Sequence, residues 1–343
     1  MNEEIMLSVV CTAFNHAKYI RQCLDGFVMQ KTNFKFEVLI NDDASTDGTA
    51  DIIKEYEAKY PDIIKPVYQK ENQYSKGLLI GKNFLYPRVK SKYATICEGD
   101  DYWTDPYKLQ KQVDFLEAHP DYSICFHPVK VIWEDKSNPD SIFPTPKKRF
   151  NKTTLFLSDL LKCNFIQTNS VMYRWCLKNK LDLIPEGILP GDWYIHLLHA
   201  REGKIGFLPD VMAVYRKNNG GIWYGAGQSD SWYEKCAFRN LAFYDALQKD
   251  FNVDKSGEIN DVMTHAIVSF LKNARFDLLE MLKNKYPEFY QYTALQMYQH
   301  LFYPSLKKAL FNLGFLKLYK ENSPQGKRKI FEIFGKKFIF KSK

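Results

Sequence analysis

The chain has 343 residues, enough for one large domain or two ordinary ones, and is 45% hydrophobic and 26% charged, which excludes a disordered chain and leaves ample material for a buried core. No apolar run approaches the roughly 18 residues needed to cross a bilayer. The acidic start MNEEIMLSVV lacks the basic lead of a signal peptide, so a cytoplasmic location is expected. The formal charge is +8, but residues 300–343 hold eleven Lys/Arg against Glu321 and Glu332. The basic balance therefore belongs to the C-terminal end, and the remainder is close to neutral. Seven cysteines are scattered without C-x-x-C spacing, the pattern of reduced, buried thiols rather than a disulfide frame or zinc site.

Strand-like and helix-like patterns alternate through the first 135 residues. Residues 7–12 (LSVVCT) form a short apolar run, followed by Ile20, Leu24 and Val28 at helical spacing. A second strand, 36–40 (FEVLI), ends in the polar loop NDDASTDGT, which opens a helix reaching about residue 59. Residues 64–68 read as a strand, 77–86 as helical, and 93–97 (YATIC) as a buried strand. Pro106 sits at a first helical position and opens 107–118. Residues 123–133 return as one strand, and 136–151, rich in proline, as a loop over the sheet face. Strands separated by helices of this length indicate an α/β fold with a doubly wound, mostly parallel sheet. Beyond Gly220 and Gly221 the segments 229–251, 258–285, 287–303 and 304–320 scan as helices. The expected organisation is a catalytic domain over 1–225, with halves at about 1–110 and 111–225. A helical region follows over 226–322, then a basic aromatic tail over 323–343.

Two acidic clusters fall where such a sheet presents ligands, after strand C-termini. Asp42 and Asp43 follow the second strand, and Glu98, Asp100 and Asp101 follow 93–97. Adjacent carboxylates repel and resist burial, so the clusters call for a counter-charge. A divalent cation carrying a phosphorylated ligand would supply one, because hard cations prefer carboxylate oxygens. Taken alone, one Asp-Asp pair is equally a pair of solvated loop carboxylates, and Asp47 reads as a helix cap.

The segments LSVVCTAFNHAKYIRQCL, FEVLINDDASTDGTADII and YATICEGDDYW resemble the family 2 inverting glycosyltransferases of the GT-A nucleotide-diphospho-sugar fold. The resemblance covers about the first 110 residues, in family order. It implies a GT-A sheet with a helical C-terminal extension. It also implies a donor site in which Thr12, Ala13, Phe14, Asn15 and Asp43 hold the nucleotide, and Asp100 and Asp101 hold Mn2+ or Mg2+ with the diphosphate. Inversion is a single displacement, so a carboxylate must accept the acceptor hydroxyl's proton. The segment LPGDWYIH, similar to the family's base-bearing segment, points to Asp192, although Asp192 is equally placed to cap the helix it precedes. NFIQTNS resembles the acceptor side and adds Gln167 and Asn169, with Trp193 beside the base. VYRKNNGG resembles the closing loop, with Arg216 toward the diphosphate and Asn218 where relatives commonly have His.

The implied activity is transfer from a nucleotide-diphospho-sugar, a UDP-sugar by preference, to a glycan or lipid-linked acceptor in surface polysaccharide, lipopolysaccharide or capsule synthesis. A sugar-phosphate nucleotidyltransferase of related fold would need a glycine- and arginine-rich loop after the first strand, and residues 11–21 contain no glycine. No G-x-G-x-x-G follows a strand and no P-loop motif occurs, which argues against dinucleotide and P-loop chemistry. His16, His127 and His196 have no metal spacing and read as structural. The C-terminal end interleaves Phe with Lys/Arg, the composition for docking on an anionic membrane surface or for a solvated end. A non-catalytic membrane-surface protein is the remaining alternative. No nucleic-acid motif accompanies the basic residues, so nucleic acid is not an expected partner.

Overall fold

The computed structural model describes residues 4–145, 154–224, 229–300, 316–323, 326–333 and 336–341. A first compact unit runs to Trp232 and takes in Phe238–Val253. At its centre is strand β1 (Ile5–Ala13), flanked in parallel by β2 (Lys35–Asp42) and β4 (Tyr93–Ile96), with β3 (Ile64–Tyr68) outside β2. These β-branched and aromatic runs suit a sheet buried on both faces. Strand β10 (Met172–Arg174) then pairs antiparallel with both β4 and β6 (Tyr122–Phe126). Beyond β6 lie parallel β11 (Lys204–Phe207) and, at the edge, antiparallel β9 (Thr154–Leu155). The result is a mixed, mostly parallel eight-stranded sheet.

Alternation along β1 divides the core. Leu7, Val9, Cys11 and Ala13 pack with Ile20, Leu24 and Phe27 of α1 (Ile20–Val28), Ile53 of α2 (Thr49–Lys59), and Leu109 and Val113 of α3 (Lys108–Ala118). Val10 faces the opposite layer, with Phe126, Tyr173, Tyr194 and Leu197. That layer contains one-turn α4 (Leu157–Leu160) and α5 (Gly191–Ala200). Each fully buried aliphatic or Phe side chain here contributes about 1.5–3 kcal/mol relative to exposure.

Residues 123–133 form two strands, not one. β6 ends before His127-Pro128, and β7 (Val129–Trp133) belongs to a second sheet, because Pro128 has no N–H to continue the ladder. That sheet has the order β5 (Tyr102–Trp103), β12 (Ala213–Lys217), β7, β8 (Ser141–Phe143). The segment read as a plain loop therefore contributes the edge strand β8. The 77–86 stretch is helical but irregular, a π-turn at Gly81–Leu85 followed by a 3-10 turn at Tyr86–Arg88. Pro106 precedes the cap residue Tyr107 rather than standing inside α3.

Helix α6 (Asp230–Phe251) supplies residues to both compact units. The second unit comprises Tyr233–Ala237 and the chain from Asp254. Within it α7 (Ser256–Lys272), α8 (Phe276–Lys285) and α9 (Pro287–His300) bury Met263, Ile267, Phe270, Leu279 and Leu282. The expected continuous helix over 258–285 is broken at Ala274, whose φ is 52°. Arg275 N–H reaches Phe270 O at 2.8 Å and Ala274 N–H reaches Leu271 O at 3.3 Å, the paired bonds that close a helix C-terminus. The expected helix over 304–320 is corrected from residue 316 onward, where β13 (Leu316–Ser323) begins; 304–315 lies outside the described residues. β13, β14 (Gly326–Ile333) and β15 (Lys336–Lys341) form an antiparallel meander. The period-two alternation of L-K-L-Y-K and the pairing it permits override the helical spacing. Among the described residues, no helix is long and apolar enough to cross a membrane.

Candidate active site

The loops leaving β1 and β2 hold each other. Asp43 N–H donates to Ala13 O at 2.9 Å. Asn15, at φ 53°, donates its N–H to Ser45 Oγ at 2.8 Å and accepts Thr46 N–H at 2.9 Å. The cap position of α2 is Gly48, not Asp47, which stands just before it and ties two loops together: one oxygen takes Ala17 N–H at 2.9 Å, the other the Thr49 hydroxyl at 2.6 Å. Burial alone would raise its pKa, but these donors bring it below the ordinary carboxylate value. Thr12 contributes its carbonyl, which accepts Gly99 N–H at 2.9 Å. Phe14 is 42% exposed at the mouth, free to stack on a planar ligand. Asp43 is buried, and its two oxygens accept the backbone N–H groups of Gln73 (2.8 Å) and Tyr74 (3.0 Å).

The second cluster is built on a close approach. A Cβ on Gly99 would lie 2.9 Å from His16 Nδ1 and 2.9 Å from Ile20 Cδ1, so any larger residue at this point of the 98–101 turn would have to displace those side chains. Asp101 is buried; Oδ1 accepts Arg216 N–H at 2.8 Å and Oδ2 accepts the Asn169 amide at 3.0 Å. Asp100 Oδ2 accepts the Asn218 amide at 2.8 Å. Arg216 Nε donates to Asp100 O at 2.8 Å, and its guanidinium lies over Tyr19 and Tyr102 while reaching Gln22 at 2.9 Å. Arg216 thus braces the acidic turn through its backbone and its side chain.

Asp192 stands in the first turn of α5, one residue inside it. The cap position is Pro190, so capping is not its role. Its Oδ2 accepts the Thr168 hydroxyl at 2.7 Å. Burial, then Asp192 and Asp100, push the Glu98 carboxyl up to about 8. Burial, then Asp100 and Glu98, raise Asp101 well above the carboxylate range, against the opposing pull of Arg216. Tyr215 is raised first by burial and then by Asp101, Glu98, Asp100 and Asp192. The acids after β4 and Asp192 of α5 therefore stand within electrostatic reach of one another.

Two of the acceptor-side candidates are buried. Trp193 is buried, donates its indole N–H to Leu160 O at 3.0 Å and packs on Phe243 with ring centroids 5.0 Å apart. It is a core residue, because the next position on a helix turns about 100° away from Asp192. Asn169 is fully buried, with its amide on Asp101 and on Val214 O (2.9 Å) and its carbonyl taking the Trp103 indole N–H at 3.0 Å. It orients the acid rather than facing an acceptor. Gln167 contributes its carbonyl, which accepts the Ser170 hydroxyl at 2.7 Å. His127 and His196 are buried and His16 is half-buried; His196 meets Tyr173 Oη at 2.6 Å, and burial lowers its pKa to about 4. Thr168 is the contact that sequence reasoning passed over, although it lies within the QTNS motif. The amides holding Asp43 carry no sequence signal, since any residue supplies a backbone N–H.

Residues 8–179, half of the chain, match Glycosyl transferase family 2. The chain belongs to this family. Its sheet and C-terminal helices match GT-A transferases. TarS 1–349 of S. aureus, solved with UDP-GlcNAc, has a TM-score of 0.52 at 16% identity, covering 98% of this chain and 99% of that one. Mannosyltransferase PcManGT of Pyrobaculum calidifontis, solved with GDP-Man and Mn2+, has a TM-score of 0.52 at 17% identity, covering 87% and 85%. Among curated relatives, the protein Rv1520 of Mycobacterium tuberculosis is 46% identical over 222 residues, 64% of this chain. The chain matches 61% of that relative's length. The Escherichia coli UDP-Glc:alpha-D-GlcNAc-diphosphoundecaprenol beta-1,3-glucosyltransferase WfaP is 30% identical over 113 residues, 33% of this chain and 42% of WfaP. Chondroitin synthase of Pasteurella multocida is 38% identical over 100 residues, 29% of this chain and 10% of the synthase.

Among the described residues of this family 2 transferase, no group of three or more His, Cys, Asp or Glu side chains converges to hold a metal by itself. The donor set still fits Mn2+ or Mg2+, which are commonly held by one or two carboxylates plus substrate phosphates. Each Asp101 oxygen has a single hydrogen-bond donor here, leaving lone-pair capacity on both. Burial, and after it the neighbouring carboxylates, raise Glu98 and Asp101; a cation would relieve the second of these.

Proposed function

We propose that the protein transfers a sugar from a UDP-sugar to a hydroxyl of a glycan or lipid-linked acceptor by one inverting displacement, in surface polysaccharide, lipopolysaccharide or capsule synthesis. The observation that carries this reading is the gathering of Glu98, Asp100, Asp101 and Asp192 within electrostatic reach of Tyr215. Donor-side and acceptor-side acids share one edge. Phe14 stacks on the base; the β1 loop (Thr12, Ala13, Asn15) and Asp43 form the nucleotide wall. Asp100 and Asp101 hold Mn2+ or Mg2+ with the diphosphate, and a bound cation would neutralise charge developing on the leaving group. Arg216 keeps the acidic turn in place. Asp192, steadied by Thr168, takes the acceptor hydroxyl's proton as the new bond forms.

The donor class rests on what is printed of similar proteins: UDP-GlcNAc bound to TarS and UDP-Glc used by WfaP. The diphosphoundecaprenol acceptor of WfaP supports a lipid-linked acceptor. The C-terminal meander supports a peripheral site on the cytoplasmic face of a membrane. Its register sets Glu332 between Lys317 and Lys337, and Glu321 opposite Arg328. The alternate positions Lys320, Lys327, Lys329 and Lys336 share their face with Leu318, Phe331, Phe338 and Phe340 and with no acid. Charge and apolar residues together are what shallow membrane binding uses.

The test is a thermal-shift screen of UDP-, GDP- and dTDP-sugars with Mn2+ and with EDTA. A ligand at about 100 times its dissociation constant adds about 2.7 kcal/mol of stability. Stabilisation by UDP-sugars that EDTA abolishes is expected. A shift by none of them, or one indifferent to EDTA, overturns the reading.

A further inference from the structure

Asp43 follows β2 and Asp192 stands in the first turn of α5, and a continuous set of contacts joins them. Asp43 Oδ2 accepts Tyr74 N–H at 3.0 Å. The phenol of Tyr74 accepts from Arg239 at 2.5 Å, and the guanidinium lies 4.7 Å from the centre of the Tyr74 ring. Arg239, on α6, also reaches Ile188 O at 3.4 Å, and its own carbonyl accepts Leu189 N–H at 3.0 Å. The neighbouring Asn240 amide donates to Leu189 O at 2.9 Å. Three residues further on, past Pro190 and Gly191, stands Asp192.

The segment 188–191 cannot fix itself. Pro190 offers no N–H, and Gly191 has no side chain, so the backbone of Leu189 is held from outside by α6. Arg239 suits the task because its planar fork presents several donors at once in fixed geometry. A second cation repeats the connection: Lys82 donates to Ile184 O at 2.7 Å and pairs with Glu186.

We propose that Arg239 is a positioning residue that couples the nucleotide side to the base. Ligand contact at Asp43 is passed through the Tyr74 turn to Arg239, and from there to the backbone that carries Asp192. The coupling rests on the reading of Asp43 as nucleotide-binding and Asp192 as base, whereas the mechanical link between them rests on the contacts alone.

The experiment uses the full chain and two readouts. In the ligand-free protein, hydrogen exchange at the Leu189 amide is compared between wild type, Tyr74→Phe and Arg239→Met. Tyr74 does not bond to Leu189, so faster exchange in Tyr74→Phe is the expected signature of the link. Unchanged exchange overturns it. In turnover assays with a UDP-sugar, Arg239→Met should lower kcat about tenfold, the weight of a lost orientation, with a smaller change in donor KM and partial recovery in Arg239→Lys. Tyr74→Phe added to Arg239→Met should cost little more, since both act along one route. Fully multiplicative losses, or wild-type kcat in Arg239→Met, overturn the coupling. If wild type neither binds UDP nor turns over a UDP-sugar, the donor reading fails, and the exchange result still decides the link.

Discussion

Thr168 donates its hydroxyl to Oδ2 of Asp192 across 2.7 Å; in the proposed reaction Oδ1 is then the oxygen that meets the acceptor. Asp192→Asn should therefore lower turnover by about 10²–10⁴-fold, the usual weight of general-base catalysis, with UDP affinity retained. Thr168→Val should lower it less, because the carboxylate remains and only its orientation is loosened. Steady-state kinetics beside UDP titration checks both. Wild-type turnover in Asp192→Asn would remove the residue from the chemistry.

Asn218 holds Asp100 at 2.8 Å while its own carbonyl oxygen, Oδ1, accepts Gly220 N–H at 2.9 Å. A residue that orients a metal-binding carboxylate commonly carries 10–100-fold in metal affinity, about 1.4–2.7 kcal/mol. Asn218→Ala should raise the Mn2+ concentration needed for half-maximal UDP binding by about that factor. Asn218→Asp should place another repelling charge beside Asp100 and lower the stability of the metal-free protein. An unchanged Mn2+ requirement in Asn218→Ala would detach Asp100 from metal binding.

The Glu98 carboxyl, pushed up to about 8 from 4.5, binds a proton in the folded chain that the unfolded chain has released. Between those values the native state holds more protons, so this group's contribution to stability falls as pH rises. Asp101 acts in the same direction. Ion-paired carboxylates such as Glu117, lowered by Lys92, pull the other way, so the informative quantity is a difference. Glu98→Gln should match wild type in melting point near about pH 5 and exceed it near about pH 8, both in EDTA. Mn2+ with UDP should close the gap at the higher pH. Parallel melting curves across that range would show that Glu98 ionises normally.

For the meander, neutralising Lys320, Lys327, Lys329 and Lys336 together should weaken binding to anionic vesicles more than neutralising Lys317, Arg328, Lys337 and Lys341. Only the first set shares its register face with no acid. Binding should fall with salt, as the screening length drops below its physiological value of about 8 Å. Equal sedimentation of both variants with wild type at low salt would leave the meander without a membrane role.

The strands at 7–12, 36–40 and 93–97 were legible because each is a β-branched run closed by polar loop residues, and their order implied the sheet. The acids were legible for the opposite reason: nothing near them in sequence neutralises them. What escaped depends on contacts far apart in the chain. Trp193 looked functional beside Asp192, yet the helix turns it into the core against Phe243. Asn169 was placed on the acceptor side by resemblance alone, and its amide is taken up by Asp101 and Val214. The split of 123–133 was foreshadowed by Pro128, but sequence could not reveal that the two pieces enter different sheets. Helical spacing misled from residue 316 onward because residues four apart also share one face of a strand.

Strand β10 runs against both of its neighbours, so the residues that lead into it, 167–170, arrive at the same sheet edge that the chain leaves after β4. An acceptor-side loop that enters a strand is anchored downstream, by the pairing of Met172 and Tyr173 with β4 and β6. Upstream of it, β9 pairs with β11, and Leu160 O takes the Trp193 indole N–H. The loop that carries Thr168 and Asn169 is thus pinned on both sides by paired strands, which fixes where their contacts to Asp192 and Asp101 fall.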